Sequence, residues 1–359
     1  MIVFVYGTSA EAIKIAPLAR RLEALGIPYE QWLTMFHGES LLSSVKRLGF
    51  TTPDHVIPNG NGGKSIGSPW QTIKWLSSTF FWIILNRSNF KKRLGKNSII
   101  IVHGDTLTTV MGTVYAKFLG LPSAHVEAGL RSGNWRHPFP EELDRRIAGQ
   151  LATIHYVPSL DAVENLSKKS NVVYTHGNTV LDAVLDVESS KPSDSEKYGV
   201  CLLHRFEFLG NEGLVRQTLS TIAEYTTIPI HVYLDDYSGS MMAATINELD
   251  SDNLLPQRKL PYSEFIQTLQ HADFVLTDSG GIQAECALLG LPTLIHRKAT
   301  EQHEGVGENI LLSMWNMATI QDFLSNYDLY KRNKQQPEIS PTQVILDDLR
   351  SRGYLVAKV

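Results

Sequence analysis

Three short acidic segments, HGDT (103–106), HVEAGLR (125–131) and HPFPEELDRR (137–146), set Asp105, Glu127 and Glu141 beside histidine, glycine or proline. Such neighbours mark places where strands end and helices begin. Asp105 closes the apolar run 98–102, Glu127 closes a shorter one, and Glu141 opens a helix. Ligands of open α/β sheets bind outside the carboxyl ends of the strands, so carboxylates at neighbouring strand tips point to proton transfer in a crevice. Carboxylates gathered there raise one another's pKa by like-charge repulsion, which suits them to acid and base work near neutral pH.

Other segments carry chemistry of a different kind. In YGTSAEAIK (6–14) a strand runs through a glycine turn into a helix whose first N–H groups favour an anion, with Lys14 one turn in and able to reach back. An ordinary turn with an exposed lysine reads equally well. TDSGGIQAE (277–285) repeats the strand–glycine–helix pattern: Ser279, Gly280 and Gly281 suit a diphosphate, and Glu285 suits ribose hydroxyls. His204, in LHRFE (203–207), ends a strand, where an imidazole can titrate near neutrality and act as an acid. Taken alone it would read as a structural histidine. RKATEQHE (297–304) reads as a polar binding loop or, equally, as a solvated one. GKS (63–65) imitates the tail of a phosphate-binding P-loop, but Pro58 stands where that motif needs glycine. No metal is expected, because neither HExxH nor CxxC spacing occurs.

The elements that must position these groups alternate along the chain. Strands are expected over 2–6, 99–102 and 123–126, with helices over 11–24, 107–119 and 141–154. After a polar stretch at 187–198 the alternation resumes: strands over 199–203, 228–234, 274–277 and 293–295, and helices over 213–224, 263–271 and 282–289. This predicts an α/β protein of two Rossmann-like domains with parallel sheets facing an interdomain cleft. The first domain is set at 1–175, with the segment 341–359 packing back on it as a helix, and the second, nucleotide-binding domain at 176–340.

Bulk properties agree with that plan. A chain of 359 residues exceeds one ordinary core, and 43% hydrophobic with 19% charged residues is a globular composition. A net charge of −4 without a basic block argues against nucleic acid as a partner. The two cysteines, Cys201 and Cys286, sit in apolar runs and read as reduced thiols, which fits a cytoplasmic location. The N-terminus reads as a strand rather than a signal peptide. Residues 70–85 are interrupted by Lys74 and fall short of the roughly 20 apolar residues of a membrane span. They read as a helix buried on one face, at a subunit contact, and no membrane partner is expected.

Taken together, HGDT, HVEAGLR, PEELDRR, GNTVLD (177–182), HR-x-E (204–207), TDSGGIQ-x-E and R-x-x-TE (297–301) resemble the non-hydrolysing UDP-N-acetylglucosamine 2-epimerases, in order and over most of the chain. The resemblance implies a fold of the glycosyltransferase-B type and conversion of UDP-GlcNAc to UDP-ManNAc. It implies a UDP-sugar as partner, a homodimer, and no cofactor. By resemblance Asp105, Glu127 and Glu141 are the catalytic carboxylates and His204 lies near the leaving group. Lys14, Arg131, Arg205, Ser279, Gly280, Gly281, Glu285 and Arg297 bind the UDP-sugar. The pattern breaks at Ser9 and Ala10, where the family carries Arg-Pro, and serine lacks the forked donors of arginine. Ala284 replaces a glutamate, Gln302 and His303 replace another Arg-Pro, and Phe36 replaces the glutamine of an allosteric site in bacterial members. A hydrolysing epimerase releasing ManNAc and UDP, a 2-epimerase of a modified UDP-sugar, and a glycosyltransferase of the same fold remain alternatives. The last has less use for three inward carboxylates.

Overall fold

The structure, a computed structural model, describes residues 1–133, 140–188, 197–234, 239–300, 302, 304–335 and 337–355. It divides into two compact units, Met1–Asp186 with Glu338–Val359 and Val187–Pro337.

In the first unit the chain runs β1 (Ile2–Tyr6), α1 (Ser9–Ala24), β2 (Tyr29–Leu33), α2 (Glu39–Arg47), β3 (His55–Val56), α3 (Pro69–Arg93), β4 (Ile99–His103), α4 (Leu107–Leu119) and β5 (Ser123–Val126). It continues as α5 (Glu141–Leu151), β6 (Ile154–Val157), α6 (Leu160–Asn165), β7 (Val172–Tyr174) and α7 (Val180–Leu185). The sheet has the order β3-β2-β1-β4-β5-β6-β7, and every pairing is parallel.

Side-chain alternation assigns each strand two faces. Ile2, Phe4, Tyr6, Ile99 and Ile101 pack with Ile15, Leu18 and Leu22 of α1. Val3, Val5, Ile100 and Val102 pack on the other face with Trp75, Ile83 and Phe90 of α3 and with Met111 and Tyr115 of α4. With both faces covered, β1 and β4 read as unbroken apolar runs. Helix α4 lies close on the sheet: a Cβ added at Gly112 would meet Val102 Cγ1 at 2.3 Å.

The helix expected over 141–154 ends at Leu151. Ala152 turns extended, and Ile154 pairs with Ala124 in the sheet, so a tertiary contact overrides the helical run. Helix α3 buries Trp75, Thr79, Ile83 and Phe90 and exposes Trp70, Ile73, Phe81 and Leu85. Among the described residues no helix is long and apolar enough to cross a membrane.

The second unit runs β8 (Gly199–Leu202), α8 (Phe206–Leu209), α9 (Glu212–Tyr225), β9 (Ile230–Leu234), α10 (Gly239–Leu249), β10 (Leu254–Arg258), α11 (Tyr262–His271), β11 (Phe274–Thr277), α12 (Gly280–Leu289), β12 (Thr293–Ile295), β13 (Ile310–Leu312) and α13 (Met317–Asn326). Its sheet, β10-β9-β8-β11-β12-β13, is also wholly parallel. The two units are thus parallel-sheet α/β domains. Most of the expected polar connection, residues 189–196, lies outside the described residues.

The chain returns to the first unit as α14 (Pro341–Ser351), capped by Ser340. Ile345, Leu346 and Leu349 of α14 join the core beside α1. Asp182 of α7 accepts from Ser340 Oγ at 2.7 Å and from the Thr342 backbone N–H at 2.8 Å, which fixes where α14 begins.

Candidate active site

The carboxyl ends of β4 and β5 carry two of the sequence-expected carboxylates. Past His103 the chain turns at Gly104, whose N–H donates to Val126 at 3.0 Å and whose carbonyl lies 2.7 Å from His125 Nε2. Thr106 then caps α4. Asp105 is held between these anchors, and its carboxylate is paired with the Arg145 guanidinium of α5. Burial raises the Asp105 pKa, and Arg145 opposes that rise.

Glu127 follows β5 with φ of +64, a left-handed conformation that costs a non-glycine residue of order 1 kcal/mol or more and clusters at functional sites. Its Oε2 accepts from Lys14 Nζ and Asn178 Nδ2, and His103 Nε2 lies 3.8 Å away. Burial alone would raise its pKa. The lysine, the histidine and the hydrogen bonds outweigh burial and lower it to about 2. His103 is itself driven down to about 3 by burial, so it is uncharged at neutral pH. Lys14 and Asn178 are then the groups that keep Glu127 ionised.

Glu141 is the first residue of α5. The segment His137 to Phe139 that precedes it lies outside the described residues. On the same helix Glu142 is fully buried and bonded to Arg146 at 2.9 Å and to the Ser132 N–H at 3.1 Å. Asp144 is 2% exposed. Burial first, then the charges of Asp105 and Glu141, push its carboxyl up to about 8. Arg131 donates to the Leu130 carbonyl at 2.7 Å and faces Glu142.

The glycine turn before α1 supplies its own anion. Glu11 accepts from the N–H groups of Gly7 at 2.9 Å and Thr8 at 2.8 Å, closing a capping box with Thr8, and Thr106 Oγ1 donates to it at 2.7 Å. Lys14 points instead to Glu127, and Ser9 Oγ lies 3.0 Å from Ser44 Oγ.

In the second unit the expected residues gather around β8 and β11. Asp278, fully buried, accepts the N–H of His204 at 2.9 Å and that of Arg205 at 2.8 Å. Its Oδ1 lies 3.2 Å from His204 Nδ1, and its carbonyl accepts from Arg205 Nε at 3.0 Å. Ser279 caps α12, which begins with Gly280 and Gly281, and Glu285 lies buried within that helix. Arg297, 7% exposed, has Nε 3.7 Å from Glu207. Gln283 ties the loop after β12 to α12, donating to the Gln302 carbonyl at 3.1 Å and accepting from Thr300 at 2.8 Å. Glu301 and His303 of that loop lie outside the described residues.

The structure therefore sets Lys14 with Glu127 and Asp105 with Arg145 in one unit, and His204 and Arg205 with the Asp278–Ser279 turn in the other. Sequence reasoning did not single out Asn178, Arg145, Asp144, Asp278 or Gln283. All five stand inside or beside the quoted motifs, but the partners of Asn178, Arg145 and Asp278 are remote in sequence.

The chain is similar to known proteins in sequence and in fold. The sequence profile of the UDP-N-acetylglucosamine 2-epimerase family matches residues 86–338. The chain is 33% identical over 316 residues to UDP-N-acetylglucosamine 2-epimerase of Bacillus subtilis (84% of this chain, 80% of that one). It is 31% identical over 340 residues to the Campylobacter jejuni protein of the same name (86% and 84%). Among solved structures it is similar to the S. aureus MnaA–UDP co-structure, with a TM-score of 0.81 and 25% identity over 99% of this chain and 98% of that one. It is also similar to the Neisseria meningitidis UDP-GlcNAc 2-epimerase bound to UDP-GlcNAc, with a TM-score of 0.79 and 26% identity over 98% and 99%.

Proposed function

The chain belongs to the UDP-N-acetylglucosamine 2-epimerase family, and we propose that it inverts C2 of UDP-GlcNAc, giving UDP-ManNAc, without releasing free sugar. The C2 proton is weakly acidic, so its removal must be coupled to departure of UDP from C1. Anti elimination yields 2-acetamidoglucal and UDP. Re-addition of UDP, with a proton delivered to the opposite face of C2, yields the epimer. The balance closes without a redox partner: one proton and one UDP leave, and one of each returns.

The observation that carries this reading is the contrast among the carboxyl groups of the first unit. Glu127 is held ionised by Lys14 and Asn178. Asp105 and Asp144 are pushed toward the neutral form by burial. Groups whose environments drive their pKa values apart divide the acid and base roles. Proton traffic at C2 accordingly falls to Asp105, while Glu127 supplies fixed charge; we place Glu141 with Asp105 because it opens α5 close enough for its charge to act on Asp105. Ser279 at the start of α12, with Gly280 and Gly281, takes the diphosphate through helix N–H groups. Glu285 takes the ribose, Arg205 and Arg297 add charge, and His204 meets the departing phosphate oxygen. Shielding of the glycal from water favours re-addition over hydrolysis.

Proton NMR with UDP-GlcNAc in D2O tests this. Deuterium at C2 and formation of UDP-ManNAc are expected. Free ManNAc with UDP would assign a hydrolysing enzyme, and absence of both exchange and turnover would remove this substrate.

A further inference from the structure

Two buried carboxyl oxygens on α5, Glu141 Oε2 and Asp144 Oδ2, have no hydrogen-bond partner among the described residues. The residues are three apart on one helix, which brings their Cβ atoms within about 5–6 Å. Leaving two such oxygens both charged and unpaired in a buried place is costly. Resting on the function proposed above, we infer that Glu141 and Asp144 hold one proton between them, with Asp144 the positioning residue that keeps Glu141 supplied with it.

Among the described residues, burial and two like charges favour the neutral form of Asp144. Glu141 is on its own helix, and Asp105 faces it from the turn after β4. Arg145, the nearest cation in sequence, is engaged by Asp105. Arg146 is bound to Glu142. Helix α4, which packs against α5, carries no ionisable side chain over 107–114.

The transfer balances. The shared proton passes from the Asp144 O–H to the Glu141 carboxylate, and the O–H bond so formed on Glu141 breaks as that same proton is delivered to C2. The proton taken from the other face of C2 leaves to solvent, and solvent reprotonates Asp144. Asp144 loses its proton only as pH rises through about 8. Epimerisation should therefore fall on the alkaline side through that range.

Asp144→Asn removes the proton store while keeping the shape. Its kcat at neutral pH should drop by about tenfold or more, with KM little changed, and its alkaline limb should move to lower pH. Infrared difference titration reads the pair without turnover: a protonated-carboxyl band that titrates near pH 8 in the wild type should be absent from Asp144→Asn. Glu141→Gln removes one of the like charges from the other side and should shift that band to lower pH. It also serves if Asp144→Asn folds poorly by circular dichroism. The same band and the same limb in wild type and Asp144→Asn would overturn the inference. Should the wild type show the band and not process UDP-GlcNAc, the proposed function falls and the carboxyl pair stands.

Discussion

The Lys14 ammonium is bonded to the Glu127 carboxylate, across 113 residues of sequence and at a residue held in left-handed backbone. The pair is largely buried, with side-chain exposures of 18% and 6%. Removing one partner leaves an uncompensated buried charge, which costs about 3 kcal/mol or more. Lys14→Met should therefore lower unfolding stability by about that amount and turnover by about a hundredfold, because Glu127 then loses its main reason to stay ionised. Urea denaturation and NMR-monitored epimerisation check both. A variant as stable and as active as wild type would strip the pair of its assigned role.

Asp105 and Arg145 form the second ion pair, and in the proposed chemistry its carboxylate is the reacting group. Asp105→Asn keeps the volume and one acceptor oxygen for Arg145. The fold should survive with a similar melting temperature, while turnover falls about a thousandfold, within the range expected for loss of a positioned proton-transfer group. C2 deuterium exchange should fall in parallel. Near-normal exchange in this variant would take Asp105 out of the proposed chemistry.

What can be read from sequence follows from where each strand sits. β1, β4, β8, β11 and β12 are covered on both faces, so their apolar runs announce them. β2 is hidden because Glu30 and Gln31 occupy buried positions in it. Its polar atoms are satisfied only in the folded chain, Glu30 by Arg93 and Trp32, and Gln31 by Tyr6 and Thr51. β10 is an edge strand in which Pro256, Gln257 and Arg258 cut its apolar run to Leu254 and Leu255. In the candidate site, carboxylates and glycine turns stand out by type and spacing. Asn178 and Asp278 do not, because their importance lies in contacts with Glu127 and with the His204 backbone, 51 and 74 residues away.

Buried histidines set the acid limit of the fold. Burial lowers His103 to about 3 and His125, His155 and His296 to about 4. The unfolded chain binds a proton at each near pH 6.5, whereas the native state does not until the lowered value is reached. Stability is thus present above about pH 6.5 and is lost as pH falls toward 4, by roughly 1.4 kcal/mol per pH unit for each such histidine. Urea midpoints measured from about pH 7 to about 4.5 should fall steadily, and His125→Asn should make the slope shallower. A flat profile over that interval would contradict the burial argument.

Asp278 organises the turn that carries His204 through backbone rather than through side-chain charge alone. Its carboxylate takes the N–H groups of His204 and Arg205, at 2.9 and 2.8 Å, just where β8 ends and the chain turns into α8. An unpaired N–H left in a buried place costs about 1–3 kcal/mol. Asp278→Ala orphans both and should lower stability by about 3 kcal/mol. It should also release His204 from its position, so that turnover falls beyond what the stability loss explains at temperatures where the variant is fully folded. Asp278→Asn keeps one acceptor oxygen and should recover part of the stability. If Asp278→Ala melted like wild type, the turn would have to be held by something other than this carboxylate, and the placement of His204 would rest on the strand alone.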